Sequence, residues 1–359
     1  MLYSCMPNYE EATAFLSDWW GGKEMPRPVL RIRVPTQPEQ GQLMPLPEMK
    51  GIFCPQFTLK SADYRVAYEN NHIVSHRYFA EGMAVANNWI SAGSLALHLG
   101  CEPIEDRDTV WHKHRYNSIH EVDISFNEKS PYFPYQWELT TRLADLGKGR
   151  FVVRPADTVD GLDILASLLC PQQLVYDLID YPDLVMDKLI AINDIYLSLY
   201  DKEHEIIRDK LGGSHYILWA PGKMYRGQCD FASLLSPEMF REYAVPEMKR
   251  VMKHMNHIMF HWDGPGALCH LDALLDIDKI EIIQWVPGAG NTPGYDRRWW
   301  NMYHKIIEAG KRIQVTFCPD AQLALPMKKE FGKDFCKFMF TFDCETEALA
   351  IDAIDMLTI

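Results

Sequence analysis

The sequence predicts a single α/β domain: a (β/α)8 TIM barrel spanning residues 1–359, with an N-terminal helical and loop extension over 1–60. Three observations carry this. Short apolar runs alternate with stretches of helical periodicity, giving close to eight strand candidates, regularly after residue 130. Apolar runs end abruptly in Gly/Pro-rich turns with polar residues, as parallel strands do at their βα loops. No repeat or low-complexity linker divides the chain. A doubly wound sheet is the alternative.

The elements follow in order. Residues 9–20 form an amphipathic helix with Phe15, Leu16, Trp19 and Trp20 on its apolar side, broken by Pro26 and Pro28. Residues 29–34 alternate as a strand, with Arg31 and Arg33 on one face; that face is either solvated or turned to a ligand inside a barrel. Residues 36–60 read as loop and 64–79 as helix. Residues 85–90 are the second strand, with Asn87, Asn88 and Trp89. A short helix follows at 95–99, and 104–127 alternates loosely as an outlying hairpin whose His112, His114 and His120 read as surface residues. A helix at 134–146 leads to the strand 150–154 and the loop carrying Asp157 and Asp160. Helices at 162–169, 172–179 and 183–211 are separated by Pro171 and Pro182. Residues 216–219 read as strand, with Trp219 at its end and Tyr225 in the loop beyond. Ser236 and Pro237 open a helix as cap and first residue.

Next come Ile258-Met259-Phe260 as a strand, leucines 268, 271, 274 and 275 at helical spacing, and a strand over 280–286. After a helix at 299–310, strands at 313–317 and 338–342 end in Cys318-Pro-Asp and Asp343-Cys-Glu, and a helix over 347–357 closes the chain.

Composition narrows the class. Of 359 residues, 47% are hydrophobic, enough for a large core, and the net charge of -13 without a basic run argues against nucleic acid and anionic membranes. No stretch resembles a signal peptide or a membrane span. Nine scattered cysteines without a CxxC point to free thiols in a reducing cytoplasm. There is no GxGxxG, GKS/T, GxSxG or HExxH motif.

If the strand ends converge on one mouth, they bring together Asp157, Trp219, Tyr225, His261, Asp263, Gln284, Trp285, Cys318 and Cys344. His261 and Asp263, two apart, point to the same side of an extended chain. His261, Asp263 and Cys344 form a candidate zinc set, since Zn²⁺ accepts N, O and S donors and a catalytic site needs about three. The alternative is that His261 binds substrate by hydrogen bonds and Cys344 is a small buried hydrophobe. Without metal, His261 and Asp263 are the candidate general acid and base. Substrate contacts are assigned to Arg31, Arg33, Asn88, Asp157, Trp219, Tyr225, Gln284 and Trp285, with Trp219, Trp262 and Trp285 as apolar walls. His254 and His257 read as helix-end residues.

Several stretches resemble the uroporphyrinogen decarboxylase superfamily: Leu-Ala-Leu-His-Leu-Gly-Cys-Glu-Pro at 95–103 with Asp-Thr-Val-Trp at 108–111, Cys-Asp-Phe-Ala-Ser at 229–233 with Ser-Pro-Glu-Met-Phe-Arg-Glu-Tyr at 236–243, and the His261 loop. The resemblance runs from about residue 60 to the end and implies the barrel. True decarboxylases of that family carry Arg-Gln-Ala-Gly-Arg after the first strand and Ser-Asp-Ile after the second. This chain has Arg31 to Thr36 and Asn87-Asn88-Trp89-Ile90 there, which argues against porphyrinogen decarboxylation. The resemblance is closer to the cobamide-dependent methyltransferases, whose zinc is held by His-x-Cys and a later Cys. His261-Trp262-Asp263 and Cys344 match two of three positions, with carboxylate replacing the middle thiolate. A His/Asp/Cys site is harder and suits an oxygen ligand. The resemblance therefore implies a subunit moving methyl from a small O-methylated or other methylated substrate to a corrinoid protein. The cobamide would be carried by that partner, because no corrinoid-binding motif is present. A homodimer is compatible with this. A metal-free decarboxylase or lyase acting on a carboxylated small molecule anchored by Arg31 or Arg33, and a non-catalytic ligand-binding barrel, are the alternatives.

Overall fold

Apolar runs too short for helices pair edge to edge here, and the periodic stretches between them cover the resulting sheet. The computed structural model describes residues 3–126, 130–159 and 161–359. Its strands are β1 (Val29–Pro35), β2 (His76–Ala80), β3 (Val85–Ala86), β4 (Glu102–Glu105), β5 (Val110–Lys113), β6 (Val152–Val153), β7 (Ser214–His215), β8 (Trp219–Ala220), β9 (Met224–Gln228), β10 (His257–Asp263), β11 (Ile282–Val286), β12 (Arg312–Val315) and β13 (Phe338–Asp343). Seven of them form one sheet in the order β2-β1-β13-β12-β11-β10-β9. All its pairs are parallel except β1 with β2. β3 and β6 form a separate parallel pair. The large sheet ends at β2 and β9, so the described residues form a mixed α/β fold with no closed barrel ladder.

Three departures from the sequence expectation have physical reasons. The helix expected over 64–79 stops at Val74, and residues 76–80 become β2, antiparallel to β1. The switch from helix to strand lies inside one continuous apolar pattern, so periodicity alone does not mark it. The strand expected at 216–219 is two short pieces, β7 and β8, forming their own antiparallel pair. The strand that joins the sheet is β9, whose Met-Tyr-Arg-Gly-Gln has no β-branched residue and reads as loop. The second strand is two residues long, 85–86, rather than 85–90. The expected hairpin is present as β4 and β5. Gly82 lies where the chain leaves β2: a Cβ there would stand 2.4 Å from the Ile32 carbonyl oxygen.

Residues 29–35, within the stretch expected to be an extension, run inside the large sheet between β2 and β13. The helix Tyr9–Trp20 lies against the starts of the strands. The Trp19 indole N–H donates to the Cys336 carbonyl just before β13 (2.9 Å), and that of Trp20 to the Trp219 carbonyl (2.9 Å). The Trp20 ring also packs on His257, the first residue of β10, at 4.5 Å. One end of the sheet is thereby covered, and the polar residues gather at the other. No single helix among the described residues is long and apolar enough to cross a membrane, and all nine cysteines are unpaired.

Beside β3, Glu203 on the helix Pro182–Ile207 is buried and accepts from the Asn88 amide (2.9 Å) and the Ala156 backbone N–H (3.0 Å). Burial pushes its carboxyl up to about 7 despite these bonds. A carboxyl raised on folding contributes stability that is complete below its unfolded pKa, near 4.5, and is lost as pH rises through about 7. The difference is about 3 kcal/mol at most, from about 1.4 kcal/mol per pH unit. Chemical denaturation at pH 5 and pH 8 is expected to show this loss in the wild type, and Glu203→Gln is expected to flatten it.

Candidate functional site

Parallel pairing in register sets the site. His261 of β10 lies opposite Gln228 of β9 and Gln284 of β11, and Gln284 lies opposite Gln314 of β12. Period-2 alternation puts these four side chains on one face. The bonding is directional: Gln284 Nε2 donates to Gln314 Oε1 (2.8 Å), which leaves Gln284 Oε1 to face His261 Nδ1 (2.5 Å). An amide oxygen only accepts, so Nδ1 carries the proton and Nε2 keeps its lone pair. Burial, with the Arg226 guanidinium nearby, pulls His261 down to about 3, so the ring is neutral at pH 7.

Asp263, two residues along β10, and Asp230, in the turn after β9, complete the group. One ligand atom from each of Asp230, His261 and Asp263 lies within 4.8 Å of the others. Asp263 Oδ1 is buried and has no hydrogen-bond partner among the described residues. Burial holds the Asp263 carboxyl above the usual range. A free imidazole nitrogen and an orphaned carboxylate oxygen are donors a divalent cation would take. Arg226 works against this, since its positive charge sits near all three.

From Arg226 a polar chain crosses the gap between β9 and the β3/β6 pair. Arg226 donates to Gln228 Oε1 (2.7 Å) and lies 3.5 Å from Asp157, which also accepts from the Tyr216 hydroxyl (3.2 Å). Tyr216 lines a cavity of about 400 Å³, together with Arg31, Arg33, Asn87, Arg154 and His215.

Several expected site residues lie elsewhere. Cys344 does not join the His261 group; its backbone N–H pairs with the Arg33 carbonyl, and burial raises its thiol. The third residue beside His261 and Asp263 is Asp230 instead. Asn88 is fully buried and donates to Thr140 and Glu203, so its neighbour Asn87 faces the cavity. Trp285 and Trp262 lie on the opposite face of the sheet, in contact at 4.7 Å, with Trp299 against Trp285 at 5.1 Å. Tyr225 is buried against Tyr196, and Trp219 donates its indole N–H to Asp209 (2.5 Å) at the covered end. Tyr225 and Trp219 are therefore core residues, and no tryptophan among Trp219, Trp262 and Trp285 lines the cavity. Arg33 is half-committed: it pairs with Asp343 through Nε and Nη2, and its Nη1 meets His72, while it lines the cavity. Cys318 is buried, its thiol donating to the Asp320 carbonyl. His254 and His257 pair with Asp201 and Glu281, as structural residues do. Asp160 lies outside the described residues.

Sequence reasoning gave no role to Arg154, Arg226, Gln228 and Gln314, and none to Asp230 beyond its place in a quoted motif. Arg226 and Gln228 were hidden by the misread β9. Arg154 carried a usable signal, a cation directly after an apolar strand.

Trp285→Ala separates a wall from a core residue. Truncation is expected to destabilise the chain by about 3–5 kcal/mol, read as a shift of the denaturation midpoint. A substrate contact would instead leave the midpoint in place and alter ligand affinity.

No family profile matches this sequence, and no curated protein is significantly similar to it. Among solved structures the chain is similar in fold to a methyltransferase from Methanosarcina mazei, with a TM-score of 0.59 over 99% of this chain and 97% of that one, at 11% identity.

Proposed function

We propose that this chain is the catalytic subunit of a methyl transfer, moving methyl from a small O-methylated substrate to a corrinoid protein in the cytoplasm, within a single (β/α)8-type domain. The observation that supports it best is the Asp230–His261–Asp263 group at the ends of β9 and β10, in a chain whose fold is similar to that of a methyltransferase. Eight parallel strands in chain order, β1, β3, β6 and β9 to β13, fit a barrel whose ladder is interrupted beside β3 and β6. The motifs of the cobamide-dependent branch of the uroporphyrinogen decarboxylase superfamily fit the same reading.

Zinc held there would act as a Lewis acid on the leaving oxygen of an ether. The chain's own residues do the rest. His261 offers Nε2, Gln284 and Gln314 fix its tautomer, and Asp263 brings the orphaned oxygen. One nitrogen and two oxygens make a harder set than thiolates and favour an oxygen leaving group over sulfur.

Arg226 favours a second reading, metal-free lyase or decarboxylase chemistry on a carboxylated molecule. Its guanidinium occupies the electrostatic place a cation would fill. In that case neutral His261 serves as base.

Elemental analysis of protein purified without chelator tests the first reading. About one zinc per chain is expected, reduced several-fold in Asp263→Asn and in Asp230→Asn and retained in Cys344→Ala. Methyl transfer from methoxylated small molecules to an added corrinoid protein is expected to fall at least a hundredfold in His261→Ala. A chain without metal that still consumes a carboxylated substrate would establish the second reading.

A further inference from the structure

The cavity between β1 and the β3/β6 pair holds more positive charge than the protein neutralises. Arg31 and Arg154 both line it. Other arginines nearby are matched: Arg27 pairs with Glu81 at 2.7 Å, Arg33 with Asp343, Arg226 with Asp157 at 3.5 Å. Among the described residues, Arg31 and Arg154 have no carboxylate within 4.0 Å, and each has a buried Nε without a hydrogen-bond partner. Arg31 makes one long contact, Nη1 to Thr341 Oγ1 at 3.5 Å. Arg154 lies over the Trp89 ring at 3.9 Å.

No carboxylate pairs directly with either guanidinium; Asp157 and Glu69 act on Arg154, and Asp343 on Arg31, only from beyond contact distance and while engaged elsewhere. Glu69 lines the cavity but accepts the Asn87 N–H (2.8 Å), lies 3.9 Å from Arg65, and is held above the usual carboxylate range by burial. Asp157 is held by Arg226 and the Tyr216 hydroxyl. His72 is pulled down to about 4 by burial and is neutral. Burial and the Arg154 charge, with Arg33, pull even Arg31 down to about 10. His215, 2% exposed, lines the same cavity, and among the described residues neither ring nitrogen has a hydrogen-bond partner of good geometry. Unpaired buried donors and charges cost stability unless something binds them.

We propose that this cavity binds the carboxylate of a small aromatic acid, with Arg31 and Arg154 as its counter-ions and His215 as an additional donor. Guanidinium forks match the planar, two-oxygen geometry of a carboxylate. Tyr78 and Tyr216 in the lining, with Met83 and Val85, suit a flat apolar body. The volume of about 400 Å³ admits a molecule of that size. The polar chain from Tyr216 through Asp157 and Arg226 links this cavity to Gln228, the neighbour of His261 on the sheet, and we take the two to open on one mouth. The inference rests on that mouth being the substrate site, whichever reaction occurs there.

Titration calorimetry with 4-methoxybenzoate, its uncharged amide and inorganic phosphate tests it, each with and without a chelator. The acid is expected to bind the wild type, with affinity unchanged by the chelator, so that a failed metal reading stays distinct from a failed anchor. The amide, Arg31→Met and Arg154→Met are each expected to lose at least tenfold in affinity, while exposed Arg142→Met loses none. Thermal unfolding of the two cavity variants is expected at or above the wild-type midpoint, because each removes an uncompensated charge. Should either methionine variant fail to fold, the lysine variant, which keeps the charge and loses the fork, is expected to weaken the acid by a similar factor. Equal binding of acid and amide, undiminished affinity in both arginine variants, or no binding below about 10 mM would overturn the proposal. So would phosphate displacing the acid with the same arginine dependence, which would mark a site for a small inorganic oxyanion.

Discussion

Parallel register fixes what can meet in this site. Because β9, β10, β11 and β12 align Gln228, His261, Gln284 and Gln314 on one rung, a single imidazole is held by an amide that is itself held by the next. Each link removes one freedom from the last: Gln314 orients Gln284, and Gln284 selects the tautomer of His261. A hydrogen bond between neutral groups contributes only about 1 kcal/mol. The consequence for chemistry is larger, since it decides which ring nitrogen is a lone pair. On the next strand position the same face carries Asp263, and a slip of one residue would turn the whole set into the outer layer where Trp262 and Trp285 pack.

Much of this was legible in the sequence. The α/β class, the strand ends as the polar region, and His261, Asp263 and Gln284 as neighbours all follow from alternation and from where apolar runs stop. What was lost was lost to the same alternation. Adjacent residues at a strand end face opposite ways, so of the two expected contacts on β11 Gln284 faces the interior and Trp285 does not, and Asn88 is buried where Asn87 faces the cavity. A strand that carries an arginine, a glycine and a glutamine because it lines a polar interior does not read as a strand. β9 is that case, and its misreading hid Arg226 and left Tyr225 and Trp219 as false contacts. The third member of the His261 group was not legible, because Asp230 and Cys344 differ by tertiary placement and no spacing distinguishes them.

Charge is distributed unevenly around the mouth. Near β9 and β10 the acids Asp157, Asp163, Asp230 and Asp263 surround one arginine, and the carboxyls of Asp157, Asp163 and Asp263 are raised by burial. Near β1 and β6, Arg31 and Arg154 stand without a directly paired carboxylate among the described residues, Glu69 in the same lining being engaged by Asn87 and Arg65. A ligand with an anionic end and an end that tolerates a cation or a proton donor matches this asymmetry, and one with the reverse polarity does not.

The helix Tyr9–Trp20 precedes the strands in sequence but is held by residues far along the chain. Its tryptophans bond to carbonyls of Cys336, 317 residues later, and of Trp219, 199 residues later. β1 likewise finds its parallel partner only in β13. The helix contact through Trp20 therefore waits for residue 219, and that through Trp19 and the second edge of β1 wait for residues 336–343. Such long-range closure makes assembly slow and leaves the growing chain exposed to wrong partners. A chain closed in this way keeps apolar surface and strand edge uncovered for longer than one of the same size built from local contacts.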